Sequence, residues 1–283
     1  MNPIGANTWI WVSPLTDERL ARIAPRVRGF GFDVIELPIE NIGDWDAARA
    51  RELLDELGLT ATTAAVMTPD RDLVSGDRGV IESTQDYVRA ATDMAARAGA
   101  RTLAGPMYSP VGKTWPMDAS ERATVVRRLV ENLRPLADYA GEQGVTLALE
   151  PLNRFETSFM NTAEQVMEVV DRVASPALGV LLDTFHMNIE EHDPAAAIRL
   201  CKGRLAHFHA CGCDRGAPGD DQIPWPQIAA ALRDTGYQGP LVIESFTIEN
   251  QAIARAAAIW RPLAPTQDAI ATDGLRFLKG VLA

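Results

Sequence analysis

The chain has 283 residues, of which 47% are hydrophobic and 23% charged, and its net charge is −11. That composition is ordinary for a soluble globular protein, and the length suffices to bury a full core. So acidic a surface repels phosphate backbones, which argues against nucleic acid as a partner.

The N-terminal MNPIGANTWIW has no basic stretch followed by a long apolar run, so no signal peptide is expected. No segment approaches the roughly 20 apolar residues of a membrane span, so no membrane partner is expected either. Short apolar or β-branched runs then follow in chain order. They are NTWIWV (7–12), DVIELP (33–38), TATTAAV (60–66), RTLAGP (101–106), VTLALE (145–150), LGVLLD (178–183), RLAHFH (204–209) and PLVIES (240–245). Between them lie amphipathic stretches such as LTDERLARIAPRVRGFG, DAARARELLDELG and TAEQVMEVVDRVA, whose apolar residues recur every three or four positions. Gly31, Gly58, Gly99, Gly144 and Gly236 close helical stretches just ahead of the next strand. Asn161-Thr162 offers a cap to the helix that follows it.

Eight strands alternating with helices predict a parallel sheet with right-handed crossovers. Closure gives an α/β fold, a single (β/α)8 TIM barrel over residues 1–283. An open doubly wound sheet is the alternative, and the count of eight favours the barrel. The stretches Gly105–Met117 and Ala210–Pro226 would be loops on the C-terminal face, where loops carry function. After Pro265 the chain reads as a last helix, ATDGLRFLKGVL. The three cysteines, Cys201, Cys211 and Cys213, are too few and odd in number for a disulfide scaffold and suit a reducing cytoplasm. Cys211 and Cys213 form a C-x-C without the second pair that a zinc site needs.

Four strands end on a potential metal ligand: Glu150, Asp183, His209 and Glu244. They are spaced by about one strand–helix unit, roughly 30 residues. At one phase of successive repeats they would converge at one mouth of the barrel. Three carboxylates in one cavity repel each other and raise one another's pKa unless a cation neutralises them. Three carboxylates and an imidazole suit manganese, cobalt or magnesium better than zinc. Any one of these residues alone reads as a surface or salt-bridged acid; their common phase favours a shared ion.

The segments LALEPLNRFETSFMNTAEQ, LLDTFHMNIEE, HFHACGCDRGAPG and VIESF resemble the core motifs of the ketose 3-epimerases. These are the D-tagatose, D-allulose (psicose) and L-ribulose 3-epimerases of the xylose isomerase-like barrel superfamily. The resemblance is closest from Val145 to Phe246 and extends more weakly over nearly the whole chain. It implies a metal-dependent isomerase that inverts C3 of a free ketose. It implies one divalent ion, manganese first and cobalt or magnesium after it, on Glu150, Asp183, His209 and Glu244. Glu150 and Glu244 would also be the catalytic acid/base pair, with Glu156, His186 and Arg215 against the sugar's first carbons. The second histidine of HFH would be the ligand, leaving His207 buried or supporting. A homodimer or homotetramer is expected by the same resemblance.

Inverting C3 means removing a proton beside a carbonyl and returning one on the other face. Two carboxyl groups must therefore flank that carbon, with pKa values held apart. A cation polarises the carbonyl, and His186 and Arg215 would donate to developing oxygen charge. Other residues carry two readings. Trp115 is either an apolar pocket wall or packing beneath the loop. Glu36 is a supporting partner of the site or an outside salt bridge, and Glu156 faces the pocket or pairs with Arg154. His192 and Asp193 read as a helix cap. Trp9, Trp11, Ala64 and Met67 would contact the far end of the sugar. After Arg215 the run GAPGDDQIPW places Asp220 and Asp221 where the family pattern has a further glycine, which bears on sugar identity.

The same site would also serve aldose–ketose or hydroxypyruvate-type isomerisation, or dehydration of a keto-inositol. A barrel endonuclease would need more histidine ligands and a basic groove. A non-catalytic sugar-binding barrel would lack one of the acid pair.

Overall fold

The computed structural model describes residues 2–283. Its strands are β1 (Ile4–Asn7), β2 (Val34–Ile39), β3 (Thr60–Ala65), β4 (Thr102–Gly105), β5 (Thr146–Leu149), β6 (Leu178–Asp183), β7 (Leu205–His209) and β8 (Leu241–Ile243). All pair in parallel and in sequence order, and β8 closes on β1 through Ile4–Leu241 and its neighbours. The closure rules out the open doubly wound sheet. Helices α1 (Asp17–Phe30), α2 (Ala47–Leu57), α3 (Arg78–Arg97), α4 (Ala119–Glu142) and α5 (Ala163–Val173) follow β1 to β5 in turn. Two short helices, α6 (Thr184–Glu190) and α7 (Pro194–Leu200), follow β6, and α8 (Trp225–Thr235) follows β7. The chain ends in α9 (Gln251–Ala256) and α10 (Gln267–Leu282). Among the described residues no helix is long and apolar enough to cross a membrane.

The local chemistry accounts for these boundaries. Every residue of LGVLLD in β6 is buried, as expected of a strand covered on both faces. Asp118 and Glu121 form a reciprocal capping box at the start of α4. Thr162 caps α5 and Asp193 caps α7, as the sequence implied. Gly31, Gly58 and Gly236 are left-handed caps of α1, α2 and α8.

The first strand lies elsewhere than predicted. β1 is IGAN, and TWI of the apparent strand NTWIWV is a 3-10 helix, Thr8–Ile10. Asn7 caps it, its Oδ1 accepting the Trp9 N–H at 2.8 Å. Gly5 explains why the barrel uses the weaker β-former. A Cβ there would lie 3.0 Å from both Val34 and Val242, so β1 fits between β2 and β8 only with a small residue. Packing overrides strand propensity.

The main apolar core fills the shell between strands and helices. Inside the barrel, Ala104, Ala148 and Leu181 form a separate small plug. Above it the interior turns polar: Asn7, Glu36, Thr62, His207 and His209 are all buried.

Candidate active site and metal centre

Glu150 directly follows β5, Asp183 and His209 end β6 and β7, and Glu244 directly follows β8. One ligand atom from each lies within 4.8 Å of the others. The backbone forces this meeting. Asp183 and His209 are register partners across β6–β7, and the Glu150 N–H donates to Gly105 O at 3.2 Å beside β4. Gly105 sits at φ +131, and a Cβ on it would lie 2.8 Å from Ala65 O. Only glycine suits so close a backbone approach.

The cluster has atoms left for a cation. Glu150 Oε1 and His209 Nδ1 are buried with no hydrogen-bond partner. Asp183 divides its carboxylate: Oδ1 accepts the Phe185 N–H at 2.9 Å, capping α6, and Oδ2 faces the cluster. Three carboxylates and one imidazole at a common point fit a divalent cation of borderline hardness. Among the described residues no group hydrogen-bonds Glu150 Oε1.

The charges are arranged unequally. Burial pushes the Glu150 carboxyl well above the usual carboxylate range, and neighbouring Glu244 pushes it further. Burial also raises Glu244, but His209 and Arg215 outweigh it and hold that carboxyl below its ordinary value. The pair is therefore split, one favouring the proton and the other the charge, as an acid/base pair requires. Burial raises Asp183 to about 6 against the pull of Arg215.

Arg215 is set by its loop. It adopts a left-handed φ of +69, and its carbonyl accepts the Phe246 N–H at 3.1 Å. Its guanidinium lies 3.9 Å from the centre of the Phe185 ring and 5.0 Å from that of Phe246. Nη1 donates to Asp183 Oδ2 at 2.6 Å and to Glu244 Oε2 at 3.2 Å. Nη2 lies 3.0 Å from His186 Nε2. That contact is not a simple hydrogen bond. His186 Nδ1 faces the Asn153 backbone N–H at 3.0 Å, which can only donate. Nδ1 therefore accepts and Nε2 carries the hydrogen. Burial, together with Arg215 and His209, keeps this ring neutral by pushing its pKa well below the ordinary histidine value. Two donors, from Arg215 and His186, thus sit side by side and need an oxygen to share.

Glu156 is three-quarters buried, with its Oε1 2.8 Å from Asn153 Nδ2 and 3.8 Å from Arg215 Nη2. Arg154 pairs instead with Glu190. Glu36 is wholly buried inside the barrel and bonded to His207 and His209, so it forms no outside salt bridge.

A cavity of about 440 Å³ opens above the cluster, lined by Glu150, Glu156, His186, His209, Arg215 and Glu244 among others. Trp9, Ala64 and Met67 line it as the sequence suggested. Trp11 does not; its indole donates to Asp268 at 2.8 Å and stacks near Phe30. Nor does Trp115. It lines a separate cleft beside α4, its ring against Phe159 and beneath the Lys113 ammonium. The loop after β4 carries Trp115 past the cavity rim, so its packing reading holds over its wall reading. Asp221 also points away: its Oδ1 accepts from Ile223 N–H and the Trp225 indole, fixing the loop onto α8. Asp220 lines a cleft against α10 with Asp273 and Arg276. Asp220 and Asp221 thus both lie outside the cavity.

Sequence reasoning missed Phe155, Phe246 and the wall formed by α9, where Ile253, Ala256 and Ala257 line the cavity. Phe246 carried a signal, ending the VIESF motif. The α9 contribution carried none, since a six-residue helix has too few turns to show a period.

The model of the xylose isomerase-like TIM barrel family matches residues 25–279. A "probable ketose 3-epimerase" of Synechocystis sp. is 34% identical over 97% of this chain and 95% of its own length. A D-psicose 3-epimerase of Enterocloster bolteae is 34% identical over 91% of this chain and 86% of its own. Among solved structures, an L-ribulose 3-epimerase superposes with a TM-score of 0.93 at 30% identity, covering 100% of this chain and 95% of that one.

Proposed function

The chain belongs to the ketose 3-epimerases of the xylose isomerase-like TIM barrel family and is a carbohydrate isomerase, and on that premise we propose that it inverts C3 of a free ketose using Glu150 and Glu244. The observation that carries the reading is the convergence of Glu150, Asp183, His209 and Glu244 within 4.8 Å, with two acids of opposite proton preference among them. The substrate class follows from relatives named for D-psicose and L-ribulose. The lining supports an unphosphorylated sugar. Among the described residues Arg215 is the only Lys or Arg on the cavity wall, and Asp183 and Glu244 already engage it.

The cation these four residues would hold, manganese first with cobalt or magnesium as alternatives, would supply a Lewis acid that acidifies the carbon beside the ketone. Glu244, favouring its charged form, takes the C3 proton in one direction. Glu150, favouring its neutral form, delivers a proton to the opposite face, and the two exchange roles in the reverse direction. The Arg215 Nη2 and His186 Nε2 hydrogens converge on one oxygen position and stabilise charge as it develops there. Glu156, fixed by Asn153, accepts from a neighbouring hydroxyl. The apolar far wall, including Trp9, Met67 and Phe246, excludes water from the reacting carbon.

A cytoplasmic setting is supported by three free cysteines, with Cys201 and Cys211 buried. A homodimer or homotetramer is supported by the exposed apolar side chains of Phe155 and Trp260. The test of function is a screen of free ketoses with manganese, cobalt or magnesium in deuterated water. Deuterium at C3 with inversion is expected. Label confined to C1, or loss of water, would move the chemistry to another isomerase or a dehydratase. Glu150→Gln and Glu244→Gln should each abolish the C3 exchange, a loss of about 100- to 10,000-fold.

A further inference from the structure

We propose that Glu36 is a positioning residue for the metal centre, holding the His209 ring with Nε2 protonated and Nδ1 open toward the cation, and strengthening that ring as a ligand through its negative charge. The inference rests on reading Glu150, Asp183, His209 and Glu244 as the cation's ligands. Glu36 belongs to β2, whereas His209 ends β7 across the barrel, so the contact spans the interior.

Four polar side chains surround its carboxylate. Oε1 accepts from Thr62 Oγ1 at 3.0 Å and faces His207 Nε2 at 2.7 Å. Oε2 accepts from Asn7 Nδ2 at 2.9 Å and faces His209 Nε2 at 2.8 Å. Asn7, Glu36 and Thr62 are register neighbours across β1, β2 and β3, which fixes the carboxylate from its own side of the barrel. With Asn7 Nδ2 and Thr62 Oγ1 each donating to one of its oxygens, the carboxylate accepts on both, and the two imidazoles facing it carry hydrogen on Nε2. His209 Nδ1 is then the ring atom left for the cation; it is buried, without a hydrogen-bond partner among the described residues, and 3.4 Å from Glu244 Oε1. No Lys or Arg contacts Glu36 among the described residues. Of the four ligands Glu36 hydrogen-bonds only His209 among the described residues, and its negative charge raises that ring's basicity toward a cation.

The orientation of Asn7 separates charge from tautomer. Asn7 Oδ1 is occupied by the Trp9 N–H, so its Nδ2 can only donate toward Glu36 Oε2. In Glu36→Gln the amide oxygen must then take the Oε2 place, still accepting from His209. The amide nitrogen takes the Oε1 place, facing Thr62 Oγ1, which can accept, and His207, whose free Nδ1 lets it change tautomer. The variant keeps His209 in the same tautomer and removes only the charge. Thr62→Val, by contrast, disturbs the same buried cluster while leaving the Glu36–His209 contact intact.

The experiment is titration of chelator-stripped protein with manganese, following free Mn(II) by electron paramagnetic resonance. Glu36→Gln should weaken binding by about 10- to 100-fold. Thr62→Val should stay within about two-fold, as a structural disturbance without a change at His209. Nitrogen-15 shifts of the four histidines in magnesium-loaded wild type should place the His209 hydrogen on Nε2. This second measurement stands even where Glu36→Gln does not fold. Equal manganese affinity in wild type and Glu36→Gln, or a hydrogen on His209 Nδ1 in the magnesium-loaded protein, would overturn the inference. Wild-type protein that binds no manganese would instead refute the ligand reading beneath it.

Discussion

Replacing Asp183 with Asn should reshape the pH dependence of stability in chelator-treated protein. Asp183 is fully buried, and burial lifts its carboxyl from 3.8 to about 6, with Arg215 opposing and Glu244 assisting. Between those values the folded protein holds a proton that the unfolded chain has released. The associated stability is present below about pH 4 and is lost as pH rises through about 6. At about 1.36 kcal/mol per unit, the window amounts to about 3 kcal/mol. A chain of this length has an unfolding entropy of roughly 0.6 kcal/mol/K, so the melting midpoint moves by about 5 °C. Glu150 is raised by burial and by Glu244 and adds a slope of the same sign. Glu36 works the other way: burial raises it, but His209 and His207 overcome this and hold it well below its ordinary value. The informative quantity is therefore the difference between the two proteins. Scanning calorimetry in chelator from pH 4 to 7 should show Asp183→Asn gaining about 3 kcal/mol on wild type as pH rises. Manganese at about 100 times its dissociation constant should return about 2.7 kcal/mol to wild type at pH 7 and much less to the variant. Parallel melting curves for the two proteins across that range would refute the electrostatic account of the site.

Arg215→Lys keeps the charge but loses the paired donors and the stacking between Phe185 and Phe246. Steady-state kinetics should show kcat/KM falling by about 10- to 100-fold. Gly105→Ala pushes a Cβ against Ala65 O at positive φ, and should cost about 1–3 kcal/mol by thermal melting. Trp115→Phe should leave KM within about two-fold, since the ring packs outside the cavity; a larger rise would return it to the sugar site.

Much of this was legible because a barrel is periodic. Seven of the eight strands lie within a few residues of where their apolar runs placed them, and a repeat brings Glu150, Asp183, His209 and Glu244 to equivalent strand ends. What failed was not periodic. WIWV has the strongest β-propensity near the N-terminus, yet IGAN forms β1, because the space between Val34 and Val242 admits glycine rather than a branched residue. Trp115 misled for a similar reason. An aromatic residue in a C-terminal loop is placed by where the loop crosses the rim, and no pattern in the sequence records that path. The Glu36 contacts were half legible. Strand alternation put His207 and His209 on the same side of β7, but the partner facing them from β2 appears only when the barrel closes.

The cavity is asymmetric in a way that bears on how such an enzyme can change. Its ionisable wall residues, from Glu150 to Glu244, all descend from the second half of the chain. The first half supplies Trp9, Ala64, Met67, Val111 and backbone at Gly105, with no titrating side chain. The ionisable residues of the cavity are therefore inherited on one half of the gene, while its apolar wall is drawn from both, with Phe155, Phe246 and Ile253 joining Trp9 and Met67. Loops following the first four strands can drift or lengthen and so reshape the cavity without touching any of its ionisable residues.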